Sequence, residues 1–266
     1  MELTYYLLDP TKNITILVDT PVPTFQQPFC GAKLMEQEQT AEQVGFLSGS
    51  GTGYDIAMRM AGGEFCGNAT LSAAALYAMQ TGLLQGRVSV AVSGAERPVA
   101  VEICAQPGGS YSGTVEMPLP RSIASIQLNL DGVDLFLPVV NFPGISHVIL
   151  EIPVSKETVE QAVKGWCRTL NADSLGVMLL NRTECRLIPL VYVQEAGTLF
   201  WESSCASGTA AVGAYLAAEA GKPISVALKE PGGSLTVEAA PGGAIRLTGT
   251  VKLVRKGTVT LSLSPN

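Results

Sequence analysis

The sequence predicts an α+β protein of two pseudo-symmetric lobes, each a curled, mostly antiparallel or mixed sheet around a central apolar helix. Three observations carry this prediction. A cysteine-led turn opening a run of small apolar residues occurs twice, as Cys66-Gly67-Asn68-Ala69 and Cys205-Ala206-Ser207-Gly208, and each cysteine stands 16 residues before a glycine, Gly82 or Gly221. Further landmarks repeat at nearly one offset: Gly113-Thr114-Val115 returns as Gly249-Thr250-Val251, 136 residues on, against 139 between the cysteines. Both small-residue helices carry almost no charge on any face, and a helix apolar all round is buried all round.

Taken in chain order, short β-branched runs bounded by Gly, Pro or Asn predict the strands. They are Ile14–Val18, Val88–Val92, Val99–Ile103, Leu135–Val140, Val148–Ile152, Val177–Leu180, Leu187–Val193, Ile224–Leu228, Leu235–Ala239, Val251–Val254 and Val259–Leu263. One more helix, around Lys156–Leu170, is amphipathic and reads as surface-lying. Two prolines in Met117-Pro118-Leu119-Pro120 interrupt regular structure and mark the boundary between lobes 1–117 and 118–255. A C-terminal strand over about 256–266 is free to rejoin the first lobe.

At 47% hydrophobic and 15% charged, the 266-residue chain has globular composition and length enough for a real core. Its formal net charge of −6 lacks the basic field that nucleic-acid binding uses. No run approaches the ~18 consecutive apolar residues of a membrane span. The start, Met1-Glu2-Leu3-Thr4-Tyr5, has neither the basic region nor the cleavage site of a signal peptide. The expectation is a cytoplasmic protein with no nucleic-acid or membrane partner.

None of the six cysteines, at 30, 66, 104, 167, 185 and 205, has a zinc-like spacing to another, and the lone His147 cannot complete a ligand set, so no metal is expected. Without a secretion signal a disulfide framework is not expected either. Cys30, Cys104, Cys167 and Cys185 therefore read as core thiols. Cys66 and Cys205 differ because each begins a helix, where unpaired N–H groups and the helix dipole stabilise negative charge and lower a thiol's pKa. Gly67 and the Ala206-Ser207-Gly208 turn keep the adjacent backbone open, and its N–H groups can bind a carboxylate. Two matched proton carriers on opposite faces of one carbon suit racemisation, in which a thiolate removes the α-proton and the opposite thiol returns one. Such a site must be dry and rich in donors to the substrate carboxylate.

At these motifs the sequence resembles the diaminopimelate epimerase-like superfamily of cofactor-independent amino-acid racemases and epimerases. That family's pattern is a Cys-Gly-Asn-Gly turn in the first lobe and an Ala-Cys-Gly-Thr/Ser-Gly turn in the second. Within it, the stretches 12–18, Glu42-Gln43-Val44-Gly45-Phe46, 64–70, Trp201-Glu202-Ser203-Ser204-Cys205 with Ser207-Gly208-Thr209, and Pro231-Gly232-Gly233-Ser234 are similar to the histidine racemases of opine-metallophore biosynthesis. The resemblance implies the two-lobed fold, Cys66 and Cys205 as the acid–base pair, no cofactor, and a small amino acid, histidine favoured, as partner. A homodimer is compatible with it. It implies cleft-lining roles for Asn13 and Asn68, an ammonium-receiving role for Glu195 and an imidazole-holding role for Glu42. By themselves these four read as a turn residue, a helix cap, a loop charge and a surface glutamate. His147, in Gly144-Ile145-Ser146-His147, falls where epimerases carry Asn-Pro-His; it reads either as support for a thiol or as a satisfied half-buried histidine.

The departures favour a small substrate. Diaminopimelate epimerases carry Glu-Arg before the second cysteine, whereas Glu195 is followed by Ala196, and their Asn-Ala-Asp-Gly-Ser-Glu stretch is shortened to Met60-Ala61-Gly62-Gly63-Glu64. Groups that would recognise a second amino-acid head are thus missing. The competing readings are the same chemistry on another amino acid, diaminopimelate included, a non-catalytic amino-acid-binding relative, and a carboxylate-using isomerase like those of phenazine pathways. Retention of both thiols argues against the last two.

Overall fold

The computed structural model describes residues 1–194 and 197–262. They form a mostly-sheet α+β arrangement with few helices. In chain order the elements are β1 (Glu2–Pro10), β2 (Thr15–Val18), α1 (Gln27–Gln37), β3 (Gln43–Ser48), β4 (Ile56–Met60), α2 (Gly67–Thr81), β5 (Gln85–Val92), β6 (Val99–Ala105), β7 (Ser110–Met117), β8 (Ser122–Leu130), β9 (Val133–Phe142) and β10 (Ile145–Leu150). There follow α3 (Lys156–Thr169), β11 (Ser174–Asn181), β12 (Arg186–Val193), β13 (Thr198–Trp201), α4 (Ala206–Ala220), β14 (Ile224–Glu230), β15 (Gly233–Ala239) and β16 (Ile245–Thr260). They fall into two compact units, Met1–Glu116 with the chain from Thr248 on, and Met117–Leu247. The passage back into the first unit occurs inside β16.

In the first unit the strand order is β1-β2-β3-β4-β5-β6-β7-β16, and β16 pairs back onto β1, so the sheet closes on itself. Closure removes the exposed row of unpaired N–H and C=O groups that an edge strand presents. The β2–β3 and β4–β5 pairs are parallel and the intervening ones antiparallel. β16 runs antiparallel to β1 from Thr260 opposite Glu2 to Val251 opposite Pro10, with a bulge at Leu7/Leu8. α2 packs against β1 through β6. Its Ala73, Ala74 and Ala75 are fully buried, and side chains this small let strands approach on several sides. α1 covers the other face, seating Cys30 and Leu34 among Leu7, Val44 and Phe46.

In the second unit the order is β15-β14-β12-β11-β10-β9-β8, with β13 on the flank of β12. α4 packs against β9, β10, β11, β14 and β15. α3 is the amphipathic helix expected there. Ser155 caps it by accepting from the Thr158 N–H at 3.2 Å, and Val159, Val163 and Trp166 turn inward against Leu128, Val139 and Leu175.

α2 and α4 are built alike. Each has fifteen residues, a cysteine at the N-cap in extended backbone (φ −133° at Cys66, −130° at Cys205) and a left-handed glycine at the C-cap (φ 72° at Gly82, 63° at Gly221). The left-handed cap favours glycine because a Cβ there is strained. All six cysteines are free thiols; Cys30 and Cys167 are fully buried, Cys104 and Cys185 partly so. Among the described residues no helix is long and apolar enough to cross a membrane.

Candidate active site

In the first unit the chemistry gathers at the start of α2. The Cys66 sulfur accepts from the Ala69 N–H at 3.5 Å, as an N-cap side chain does. Its thiol donates to Oε1 of Gln43 on β3 at 2.8 Å. The direction of that bond is set from a distance. Glu42, an acceptor when ionised, takes the Asn13 Nδ2–H at 2.6 Å. Asn13 Oδ1 then faces the Gln43 amide nitrogen at 2.5 Å, and the same nitrogen donates to the Thr15 hydroxyl at 2.7 Å. Gln43 is left to present its carbonyl oxygen to Cys66. The exposed Glu42 and the buried Asn13 thus belong to one chain of hydrogen bonds ending on the thiol. Gly67 and Asn68 form the first turn of α2, both buried. Gln43 went unassigned in the sequence; its place next to Glu42 in the shared Glu-Gln-Val-Gly-Phe stretch was the available signal.

In the second unit the start of α4 repeats the cap: the Cys205 sulfur accepts from the Gly208 N–H at 3.4 Å and lies 3.6 Å from the Ser207 hydroxyl. Behind it stands Glu230, the last residue of β14, only 7% exposed. Its Oε2 accepts from the Cys205 backbone N–H at 2.7 Å and its Oε1 from the Thr209 hydroxyl. Burial pushes the Glu230 carboxyl up to about 8 against the pull of those two donors. Burial, then the carboxylates of Glu202 and Glu230, pushes the Cys205 thiol well above its ordinary value, with the Ser207 hydroxyl opposing. The helix terminus, expected to lower this thiol, is outweighed here by desolvation first and then by the neighbouring acids. Neither Glu230 nor Glu202 was assigned to the site from the sequence, where Glu202, three before Cys205, reads as a first-turn charge or cap.

Close packing fixes the rest of this half. A Cβ on Gly208 would lie 2.9 Å from the Met178 Cε and 3.2 Å from the Cys205 sulfur. A Cβ on Gly176 would lie 2.7 Å from His147 Cε1 and 2.9 Å from that same methyl, so ring and methyl are at most 5.6 Å apart. The Met178 methyl therefore packs near both the His147 ring and the start of α4. His147 is fully buried, edge-on to Phe142, with hydrogen-bond partners on neither ring nitrogen among the described residues. Burial holds it neutral, its pKa pushed down to about 3. Of the residues read from the sequence, Cys66, Gly67, Asn68, Asn13 and Glu42 lie together in the first unit. Cys205, Ala206, Ser207 and Gly208 lie together in the second unit, to which the buried His147 also belongs. Glu195 lies outside the described residues. Among the described residues no three His, Cys, Asp or Glu side chains converge so as to hold a metal ion.

Comparison with known proteins adds the family. The profile of the histidine racemase CntK N-terminal domain matches residues 2–260. A histidine racemase of Fusobacterium nucleatum is 32% identical over 222 residues, covering 80% of each chain. Among solved structures, a predicted epimerase from Pseudomonas aeruginosa superposes with a TM-score of 0.71 at 17% identity, over 98% of this chain and all of that one. A hydroxyproline epimerase from Agrobacterium vitis gives 0.63 at 12% identity, over 97% and 92%. At such identities the two structures speak for the fold.

Proposed function

The chain belongs to the histidine racemase family, and on that premise we propose that it is a cofactor-independent isomerase interconverting L- and D-histidine, with Cys66 and Cys205 as its acid–base pair. One thiol, as thiolate, takes the α-proton; the other delivers a proton to the opposite face of Cα. For the other enantiomer the roles exchange. The observation that carries the reading is the matched cap: two fifteen-residue buried helices, each begun by an extended cysteine whose sulfur accepts from the N–H three residues on. The same likeness supports reading the two units as pseudo-symmetric lobes, each a sheet around an apolar helix.

The other roles follow from position. N–H groups of Gly67 and Asn68, and of Ala206 and Ser207 ahead of the capping Gly208, are helix-start donors suited to the substrate carboxylate and to charge developing toward it. Glu42, exposed and joined through Asn13 and Gln43 to Cys66, is suited to accept an imidazole N–H. A carboxylate in that position also disfavours an apolar side chain. His147, fully buried and packed near Met178, is suited to act on the thiol's surroundings and not on substrate.

Incubation with single L-amino acids in deuterated water tests the reading. Histidine should acquire deuterium at Cα and lose optical rotation, and no exchange with any amino acid would refute the enzyme. Cys66→Ser and Cys205→Ser should each abolish racemisation; full activity in either overturns the two-thiol scheme. Glu42→Ala should raise KM for histidine with folding intact.

A further inference from the structure

The two cysteine turns are supported differently from behind, and the difference is chemical. After β14 and after β5 the chain makes a turn that reaches the residue two before each cysteine: the Gly232 N–H donates to the Ser203 carbonyl at 2.7 Å, and the Ser93 hydroxyl to the Glu64 carbonyl at 2.8 Å. In the second unit this support includes a buried carboxyl, Glu230, bonded to the Cys205 N–H and the Thr209 hydroxyl. In the first unit the turn is Ser93-Gly94, and a Cβ on Gly94 would already lie 2.8 Å from the Glu64 carbonyl carbon.

We propose that Glu230 is a positioning residue that holds Cys205 as a thiol, the proton-donating form, between turnovers. The proposal rests on the two-thiol reading above for its catalytic meaning, though not for its test. Its geometry is a carboxyl fixed by two donors on the first turn of α4, one of them the thiol residue's own N–H. That N–H is one of the unpaired donors at the helix start, and through it the carboxyl is held against the residue that carries the thiol. The other groups facing Cys205 give a thiolate no cationic partner among the described residues. Glu202, from the preceding loop, is a second acid; Ser207 is a hydroxyl; Met178 of β11 is apolar; and the buried His147 of β10, packed near Met178, is neutral. In turnover the S–H bond of Cys205 breaks as a C–H bond forms at Cα. The proton removed from the other face forms an S–H bond on Cys66, so the proton count of the pair is unchanged. Destabilising the Cys205 thiolate favours the exchange through solvent in which Cys66 releases the proton it took and Cys205 gains one, which readies the site.

Thiolate absorbance against pH tests this directly, taking the difference between Cys66→Ser and Cys66→Ser/Cys205→Ser so that the other thiols cancel. Cys205 should titrate above the usual ~8.5 of a free thiol. Glu230→Gln in the Cys66→Ser background should lower that midpoint by about one pH unit or more, the scale of a like charge close by, and Glu230→Asp should restore most of it. In the two-thiol enzyme the basic limb of kcat/KM should move the same way, a change that lost packing alone would not make. A Cys205 midpoint at or below the ordinary value overturns the proposal without any Glu230 variant having to fold. A midpoint that Glu230→Gln leaves in place also overturns it. The deuterium-exchange assay reports separately. Absent exchange with a Glu230-dependent midpoint removes the racemase reading and leaves this one; exchange with an unmoved midpoint does the reverse.

Discussion

His147 should make the protein sensitive to acid in a way that one substitution removes. It is the chain's single histidine, fully buried, and stays neutral down to about pH 3, whereas the unfolded chain protonates it near 6.5. Between those values the unfolded state binds the extra proton, so this contribution to stability is complete above 6.5 and is lost as pH falls. At 1.36 kcal/mol per pH unit the loss is about 2 kcal/mol by pH 5 and about 5 kcal/mol by pH 3. Glu230 acts oppositely. Its folded pKa, pushed up to about 8 from 4.5, makes the folded state bind the extra proton between those values, so acidification over that window adds stability. The wild-type curve alone can therefore look flat. The decisive quantity is the difference between wild type and His147→Phe, in which Glu230 cancels and any packing offset of the ring exchange is the same at each pH. Urea unfolding at pH 7 and pH 5 should show wild type losing about 2 kcal/mol relative to the variant. Parallel pH dependence of the two proteins, or a histidine NMR signal titrating near 6.5, would refute the reasoning.

Three further outcomes follow from the packing. Gly208→Ala gains about 1 kcal/mol of helix propensity, but its Cβ would press on Met178 and the Cys205 sulfur, and overpacking of that kind costs about 1–3 kcal/mol. The melting temperature should fall by a few degrees and kcat by about tenfold or more, with Met178→Ala in the same chain recovering part of the rate. Gly94→Ala combines a left-handed φ of 77° with close approach to the Glu64 and Phe65 backbone, so it should cut thermal stability more than Gly208→Ala does, as read by calorimetry. Gln43→Leu removes the acceptor from Cys66 and unpairs the buried Asn13 oxygen; kcat should drop by about 10- to 100-fold and the melting temperature by a few degrees, and an unaltered kcat would detach Gln43 from the thiol.

The parts legible in the sequence were those governed by local rules. Cys66 and Cys205 at helix starts, glycine at both helix ends and the amphipathic period of α3 each need only a few neighbouring residues. The long-range partners were not legible. Glu230 is 25 residues from Cys205 and Gln43 is 23 from Cys66, and nothing in either's neighbours announces what the sheet will bring to it. β1 was passed over because Glu2–Pro10 is polar at its ends and apolar between, without alternation, as suits a strand buried on both faces. β16, read as two short strands, is one of sixteen residues from Ile245 to Thr260; Arg255, Lys256 and Gly257 interrupt its apolar pattern but not its pairing with β1. α1 was also missed, since Gln27–Gln37 has little amphipathic contrast.

The closing strand of the first unit has a consequence for how the chain is made. The second unit is continuous in sequence, whereas the first waits about 130 residues between Glu116 and Thr248 for the strand that completes its ring. At ~5–20 residues per second of synthesis, that is roughly 7 to 26 s during which β1 and β7 emerge from the ribosome without their shared neighbour. A nascent chain of this protein thus finishes its later half first. Its earlier half stays open to chaperones and proteases until the last strand arrives.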